Sequence, residues 1–279
     1  SKRGSLLGVL DKTKTAMGAR LLRSYVEQPL IDKTEILKRQ EFISVLNKHE
    51  ITREEIREYL NPIYDLERLI TRITYQTANP RDLIAFRNSL EMLPAISLLL
   101  GDLSCDLVND IREEFDDLRD LYHLLCDSIQ EEPPISTRDG DIIKEGFNEE
   151  VYKLRAAKTE GKSWLAELEA SEKEKTGIKN LRIKYNKVFG YYLEVTNSFK
   201  DMVPDYFIRK QTLTNAERYI TPELKELEDT ILGSEDRLTS LEYELFKSVR
   251  DHLADNVARI QRTAKAIAKI DVFASLALV

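Results

Sequence analysis

Between Ile178 and Arg218 the chain carries eight basic side chains, Lys179, Arg182, Lys184, Lys187, Lys200, Arg209, Lys210 and Arg218. Only four acidic ones, Glu194, Asp201, Asp205 and Glu217, stand against them. The surplus of four sits in a chain of net charge −7, so the remainder carries −11. Lysine and arginine at this density can hold phosphate by charge, through contacts that carry no base-sequence information. A solvated strand face is the competing reading, and charge alone leaves both open.

Other chemistries are suggested less well. Ala156-Ala157-Lys158-Thr159-Glu160-Gly161-Lys162-Ser163 satisfies a relaxed phosphate-loop pattern. A working loop needs a buried strand before it, glycines that turn N–H groups onto phosphate, and a helix after it. Here Glu150 to Ala157 already read as helix and Gly161 is the single glycine, so a helix surface is expected. His49, His123 and His252 lie far apart, with no His/Cys pair at metal-ligand spacing. No serine or cysteine has a base-bearing motif. Paired acids such as Glu54-Glu55, Glu113-Glu114, Asp116-Asp117, Glu131-Glu132 and Glu149-Glu150 lie on or beside helices and are expected to be solvated. Trp164 is expected to pack rather than stack on a base. The expectation is a chain with no catalytic residue, no metal ligand and no bound cofactor.

The basic stretch breaks with the helical period. Leu181, Ile183 and Tyr185 alternate with Arg182, Lys184 and Asn186, and Tyr191, Leu193 and Val195 alternate with Tyr192, Glu194 and Thr196, the signature of half-buried strands. Asn186 to Gly190 forms the hairpin tip between them, and Tyr206 to Leu213 is a third strand candidate. A helix precedes this stretch: Phe147, Val151, Leu154, Ala157, Trp164 and Leu168 recur at spacings of three, four and seven, and Gly177 caps the end after Lys173 and Lys175. Another follows. From Pro222 onward there is no further proline, and Leu224, Leu227, Ile231, Leu238 and their successors to Ile267 keep a three-four rhythm. One helix over most of that run would reach about 80 Å. Gly233, which costs about 1 kcal/mol in a helix, is the place for a bend. A helix so long and amphipathic needs a partner, and the helix ending at Gly177 is the antiparallel candidate.

Residues 5 to about 130 read as short helices. Asp32 with Glu35 and Thr52 with Glu55 are capping boxes, and Asn79-Pro80 opens a third helix. Pro94 should kink or end it, and Gly101 marks the next boundary. One helix is expected over Leu107 to Ile129, followed by breaks at Pro133-Pro134 and Asp139-Gly140. Hydrophobic content of 42% suffices for a core, and 33% charged residues with 10 Gly and 8 Pro in 279 favour long solvated helices. Cys105 and Cys126 show no disulfide framework and fit a reducing compartment. No apolar run is expected to approach the roughly 18 residues of a membrane span, and there is no signal peptide. Ser1 in place of Met suggests a piece of a longer protein.

At this point the residues resemble a known family. Gly190-Tyr191-Tyr192-Leu193-Glu194-Val195-Thr196, Tyr206 to Tyr219 and Pro222-Glu223-Leu224 closely resemble the clamp region of the MutS family of DNA mismatch-repair proteins. Gly4 to Asp11, Thr13 to Gly18 and Gln28-Pro29-Leu30 look like the start of that family's core, with Asp65-Leu66-Glu67-Arg68 and Ala78-Asn79-Pro80-Arg81-Asp82-Leu83 inside it. Gly161 to Leu165 and Thr176-Gly177-Ile178 match its lever. The resemblance runs from about Gly4 to Val279.

It implies a mainly α fold: a helical bundle core with a long two-helix lever arm carrying a small β-rich clamp insertion. The divisions are a helical core over 1–145, an ascending lever helix over 146–177, the clamp over 178–221 and a returning lever helix over 222–279. The resemblance further implies non-specific grip on duplex DNA, with Lys184, Asn186, Lys187, Arg209, Lys210, Thr212 and Asn215 contacting the backbone. Other implied partners are a second MutS subunit and downstream repair proteins, with no membrane, in a bacterial cytoplasm at the nucleoid. Mismatch reading would belong to an N-terminal domain with a Phe-x-Glu motif; Phe147-Asn148-Glu149 matches only by chance, at the start of a lever helix. ATP and Mg²⁺ would belong to a C-terminal ATPase domain beyond Val279, to which the lever would couple the clamp. A recombination-specialised member is a minor variant within the family. The alternative outside it is a helical scaffold module for protein–protein interaction.

Overall fold

The computed structural model describes residues 4–279, so Ser1 lies outside it. Its helices are α1 (Leu6–Leu10), α2 (Ala16–Glu27), α3 (Lys33–Lys48), α4 (Glu50–Leu60), α5 (Leu66–Thr74), α6 (Pro80–Glu91), α7 (Leu93–Leu100), α8 (Asp106–Glu114), α9 (Arg119–Ser128), α10 (Glu149–Thr176), α11 (Pro222–Asp255) and α12 (Val257–Leu276). The strands are β1 (Arg182–Asn186), β2 (Gly190–Thr196), β3 (Ile208–Thr212) and β4 (Ala216–Ile220). The fold is mainly α with one small antiparallel sheet, as the sequence indicates. Two compact units result, Ser1–Lys144 with Glu244–Val279, and Glu145–Tyr243.

The first unit is a bundle around α12, whose Ile260, Ala264, Ile267, Ile270 and Phe273 are buried among the helices that surround it. Its small residues let α2 come close, and Phe273 meets Phe42 of α3 with ring centroids 5.2 Å apart. Local signals set most helix starts. The Asp32 side chain accepts from the Glu35 N–H, and Asn79 with Asp82 forms a full capping box before Pro80. Thr52 is not a cap, because α4 begins at Glu50, directly after α3 and His49. Pro94 stands in the first turn of α7, where its missing N–H costs nothing.

Two helix expectations also need correction. The single helix over Leu107–Ile129 is two, α8 and α9, divided where Leu118 takes a left-handed backbone (φ 52°) with its side chain fully buried. Asp116 secures that break by accepting from the Leu118 N–H and from Arg259 of α12, so it is not a merely solvated acid. The uninterrupted helix expected over most of the run after Pro222 is α11 and α12, separated at Asn256; Gly233 does not interrupt it. Pro80–Leu100, α6 and α7 in series, meets the length and composition of a membrane span, but it contains Arg81, Asp82, Arg87 and Glu91 and is not an unbroken apolar run. It behaves as core: Leu83, Phe86, Leu90, Leu93, Ile96 and Leu100 are buried. The polar pair Asp82 and Ser89 is buried too, bonded to Arg72 and to the Ala85 carbonyl.

In the second unit α10 runs antiparallel to the first part of α11. Arg155 bonds Glu242 at 2.7 Å, Lys158 reaches Glu235 at 3.4 Å, and Leu168 shares a cluster with Leu224. A sheet with one apolar face must bury that face against another element. Leu168 and Leu224 supply that cover, packing with Ile178, Leu181, Leu193, Val195, Phe207 and Tyr219. Each fully buried aliphatic side chain there contributes about 1.5–3 kcal/mol.

Candidate nucleic-acid interface

The sheet has the order β1-β2-β4-β3, all antiparallel. The third expected strand is β3, and the sequence pattern missed β4, which inserts between β2 and β3. Alternation sends Ile183, Leu193, Val195 and Tyr219 into the core cluster. Arg182, Lys184, Glu194 and Arg218 therefore share the opposite face, where Glu194 is in register with both Arg182 and Arg218. Across it Lys184 Nζ meets Glu194 at 2.7 Å, Arg218 Nε lies 3.6 Å from the same carboxylate, and the Arg218 guanidinium covers the Tyr192 ring at 4.5 Å.

The positive surplus of the segment falls entirely on the strands and the hairpin tip. Lys179 and Lys200 are balanced by Asp201 and Asp205 outside them. Arg182, Lys184, Lys187, Arg209, Lys210 and Arg218 remain, six cations against Glu194 and Glu217. Lys187 is exposed at the tip. Asn186 serves the turn itself, its Oδ1 accepting from the Val188 and Phe189 N–H groups at 3.0 and 2.7 Å. On β3 the register slips between Arg209 and Gln211, a bulge at Lys210. Arg209 faces Glu217 at 3.7 Å, whereas Lys210, Thr212 and Asn215 are exposed, and Lys210 has no acidic partner among the described residues.

The seven expected contact residues thus occupy two regions. Lys184 lies on the open face, with Asn186 and Lys187 at the tip beside it. Arg209, Lys210, Thr212 and Asn215 follow the β3 edge and its turn into β4. Arg182 and Arg218, omitted from that set, complete the open face, and the period-two pattern could have found Arg182. The opposite edge, β1, is engaged: Glu169 of α10 accepts from the Ile183 N–H at 2.9 Å. Burial works against the charge on Glu169, but the Ile183 N–H, Lys173 and Arg182 outweigh it and hold the carboxyl below its ordinary value. A bulge and a lysine blunt the β3 edge against pairing with another strand and leave its charge outward.

The phosphate-loop pattern lies wholly inside α10, as expected, but Gly161 is buried rather than on the surface. A Cβ there would come within 2.6 Å of Ile231 Cγ1 of α11. This glycine serves helix–helix approach. Trp164 is partly exposed beside Leu168 and Leu227. Phe147 lies in a 3-10 turn, with Asn148 capping α10 after it. Among the described residues no group of His, Cys, Asp and Glu is arranged to hold a metal ion.

Comparison with known proteins places the whole chain. The family model for MutS domain III matches residues 1–277. The "DNA mismatch repair protein MutS" of Lachnoclostridium phytofermentans is 68% identical over 278 residues, covering 100% of this chain and 30% of that protein. The protein of the same name from Caldanaerobacter subterraneus subsp. tengcongensis is 56% identical over 277 residues, covering 99% and 32%. That of Acetivibrio thermocellus is 50% identical over 277 residues, with the same coverage. The chain spans about a third of the length of these curated relatives. It belongs to the MutS family, and the part of the family that it matches is MutS domain III.

Proposed function

We propose that this chain holds duplex DNA by its phosphate backbone, without regard to base sequence, as one part of a mismatch-repair protein. The observation that carries the reading is the concentration of six cations against two carboxylates on a small sheet within an acidic chain. Four of those cations, Arg182, Lys184, Arg209 and Arg218, already lie within 4 Å of a carboxylate. Exposed ion pairs are worth only about 0–1 kcal/mol, so exchanging one for a phosphate costs little. The relatives' name supplies the process, DNA mismatch repair. In this reading the chain supplies no catalysis. ATP and Mg²⁺ act in a domain outside it, and a second subunit closes around the same duplex in the bacterial cytoplasm.

The test is fluorescence anisotropy of labelled homoduplex and mismatched duplex across a salt series. Beside the chain runs a variant with Lys184, Lys187, Arg209 and Lys210 all changed to Glu. Equal, salt-sensitive binding to both duplexes, lost in the variant, is expected. Six cations limit the log–log salt slope to a magnitude of about 5. Binding that ignores salt, or that survives in the variant, would overturn the reading.

A further inference from the structure

The β1–β2 hairpin is held from outside its own sheet. Strand pairing ends at Asn186 and Gly190, so Lys187, Val188 and Phe189 project beyond the last pair. Asn186 fixes the internal shape of that turn and not its direction. Direction comes from α11. The Tyr191 N–H donates to Glu228 Oε1 at 2.6 Å, while Lys225 Nζ donates to Glu228 Oε2 at 2.7 Å and to the Phe189 carbonyl at 3.2 Å. Gly190, at φ +73°, lets the carboxylate in, since a Cβ there would overlap it. Only 6% of Glu228 is exposed. Burying the Glu228 carboxylate carries a desolvation cost that pairing with the partly exposed Lys225 only in part offsets, and an apolar side chain of similar volume serves packing as well. What the ionic pair adds is one defined geometry: two backbone groups on either side of Gly190 are bound from one turn of one helix. At the end so fixed stand the exposed Lys187 and Val188, the latter 83% exposed.

We propose that Glu228, with Lys225, is a positioning residue for duplex binding, orienting the hairpin tip so that Lys187 meets phosphate. This rests on the phosphate-backbone reading above. It makes a prediction opposite in sign to bulk electrostatics: removing the Glu228 carboxylate makes the chain less negative, which by charge alone strengthens binding to a polyanion.

The experiment is a double-mutant cycle on homoduplex affinity with Glu228→Ala, Lys187→Ala and the pair, and with Glu228→Gln, whose amide oxygen can still accept from Tyr191. Lys187→Ala is expected to weaken binding about fivefold, on the order of one phosphate contact. Glu228→Ala should weaken it comparably despite the lost negative charge, add nothing in the Lys187→Ala background, and be largely rescued by Glu228→Gln. Amide exchange serves as the folding control: faster exchange is expected at Val188 to Tyr191, with β3 and β4 unchanged. Unchanged or tighter binding in Glu228→Ala, additive losses, or faster exchange throughout β3 and β4 would each overturn the proposal. Should Lys187→Ala have no effect while the fourfold glutamate variant loses binding, the positioning role falls and the interface stands. If that variant still binds, both fall.

Discussion

The carboxylate of Asp271, on α12, closes the N-terminus of α2 by accepting from the Thr15 N–H at 2.7 Å and the Thr15 hydroxyl at 2.6 Å. The Lys14 N–H adds a further bond at 2.9 Å. Thr15 passes the arrangement on, its own oxygen accepting from the Gly18 N–H at 2.9 Å as the helix cap. Gly18 is needed because a Cβ would overlap the Asp271 side chain. One turn later Ser275 accepts from the Lys12 N–H at 2.7 Å and donates to the Leu10 carbonyl at 2.8 Å. The segment between α1 and α2 is thus fixed by two side chains on the central helix, some 260 residues away in sequence.

Asp271→Asn should therefore cost about 1–3 kcal/mol, since an amide N–H₂ would face donors where an oxygen now accepts. The loss should depend on pH with a definite sign. Burial pushes the Asp271 carboxyl above its usual range, more than the Thr15 and Lys14 bonds and the nearby Arg57 pull it back. Its folded-state pKa exceeds the unfolded value of about 3.9. The stability this provides is full below that value and is withdrawn as pH rises through the folded pKa. The variant has no proton to lose there. The stability gap between wild type and Asp271→Asn should be widest under acid conditions and narrow towards neutrality, read by urea denaturation at several pH values. A gap that widens with pH would show that the carboxyl is not raised.

Gly161→Ala offers a contest between two known magnitudes. Alanine in a helix gains about 1 kcal/mol over glycine. Overpacking against Ile231, whose Cγ1 would lie 2.6 Å from the new Cβ, costs about 1–3 kcal/mol. Net destabilisation by thermal unfolding is expected, and Ile231→Ala in the same chain should turn the substitution favourable. A Gly161→Ala chain more stable than wild type would mean that α10 and α11 separate freely.

Gly161 also shows where sequence reading stops. As a glycine in a helical pattern it suggested a false phosphate loop, and its reason lies on Ile231, far along the chain. Asn186 and Gly190 were legible as a hairpin tip, and Gly177 as a cap, because turn chemistry is local. β4 was not, since Ala216-Glu217-Arg218-Tyr219-Ile220 shows no clean alternation and its strand state depends on β2 and β3 beside it. The break at Leu118 carries neither Gly nor Pro and depends on Asp116 and Arg259. Nothing in the sequence pattern singles out Lys225 and Glu228; only the fold brings Gly190 against them. For the candidate interface, the segment and its charge were visible beforehand, but the pairing of Lys184 with Glu194 and the bulge at Lys210 follow from register.

Tyr206 donates its hydroxyl to Glu172 Oε2 at 2.7 Å, and only 1% of Glu172 is exposed. Tyr206→Phe should cost about 1 kcal/mol, below the range for a fully buried bond to a charged group because Tyr206 itself is 45% exposed. Burial together with the Glu172 carboxylate pushes the Tyr206 phenol up to about 12. Because its folded pKa is raised above the ordinary value of about 10, the stabilisation is complete below that value and disappears as pH climbs towards 12. Denaturation of wild type and Tyr206→Phe through that alkaline window should converge. Parallel curves would mean that the hydroxyl does not depend on Glu172.

Glu194 sits within 4 Å of two of the six sheet cations, Lys184 and Arg218, and so acts as an internal counter-ion on the open face. Glu194→Gln removes that competitor while keeping size and a hydrogen-bonding oxygen. If the open face meets phosphate, homoduplex affinity should rise several-fold at low salt, and the log–log salt slope should steepen by roughly 0.9 for each cation released to a phosphate. If instead the β3 edge alone meets DNA, the variant should gain only from the change in net charge, with its slope unaltered. Anisotropy titrations of wild type and variant at several salt concentrations separate the two. An unchanged slope would assign the contact to Arg209 and Lys210, and a steeper one to the face that Lys184 and Arg218 share.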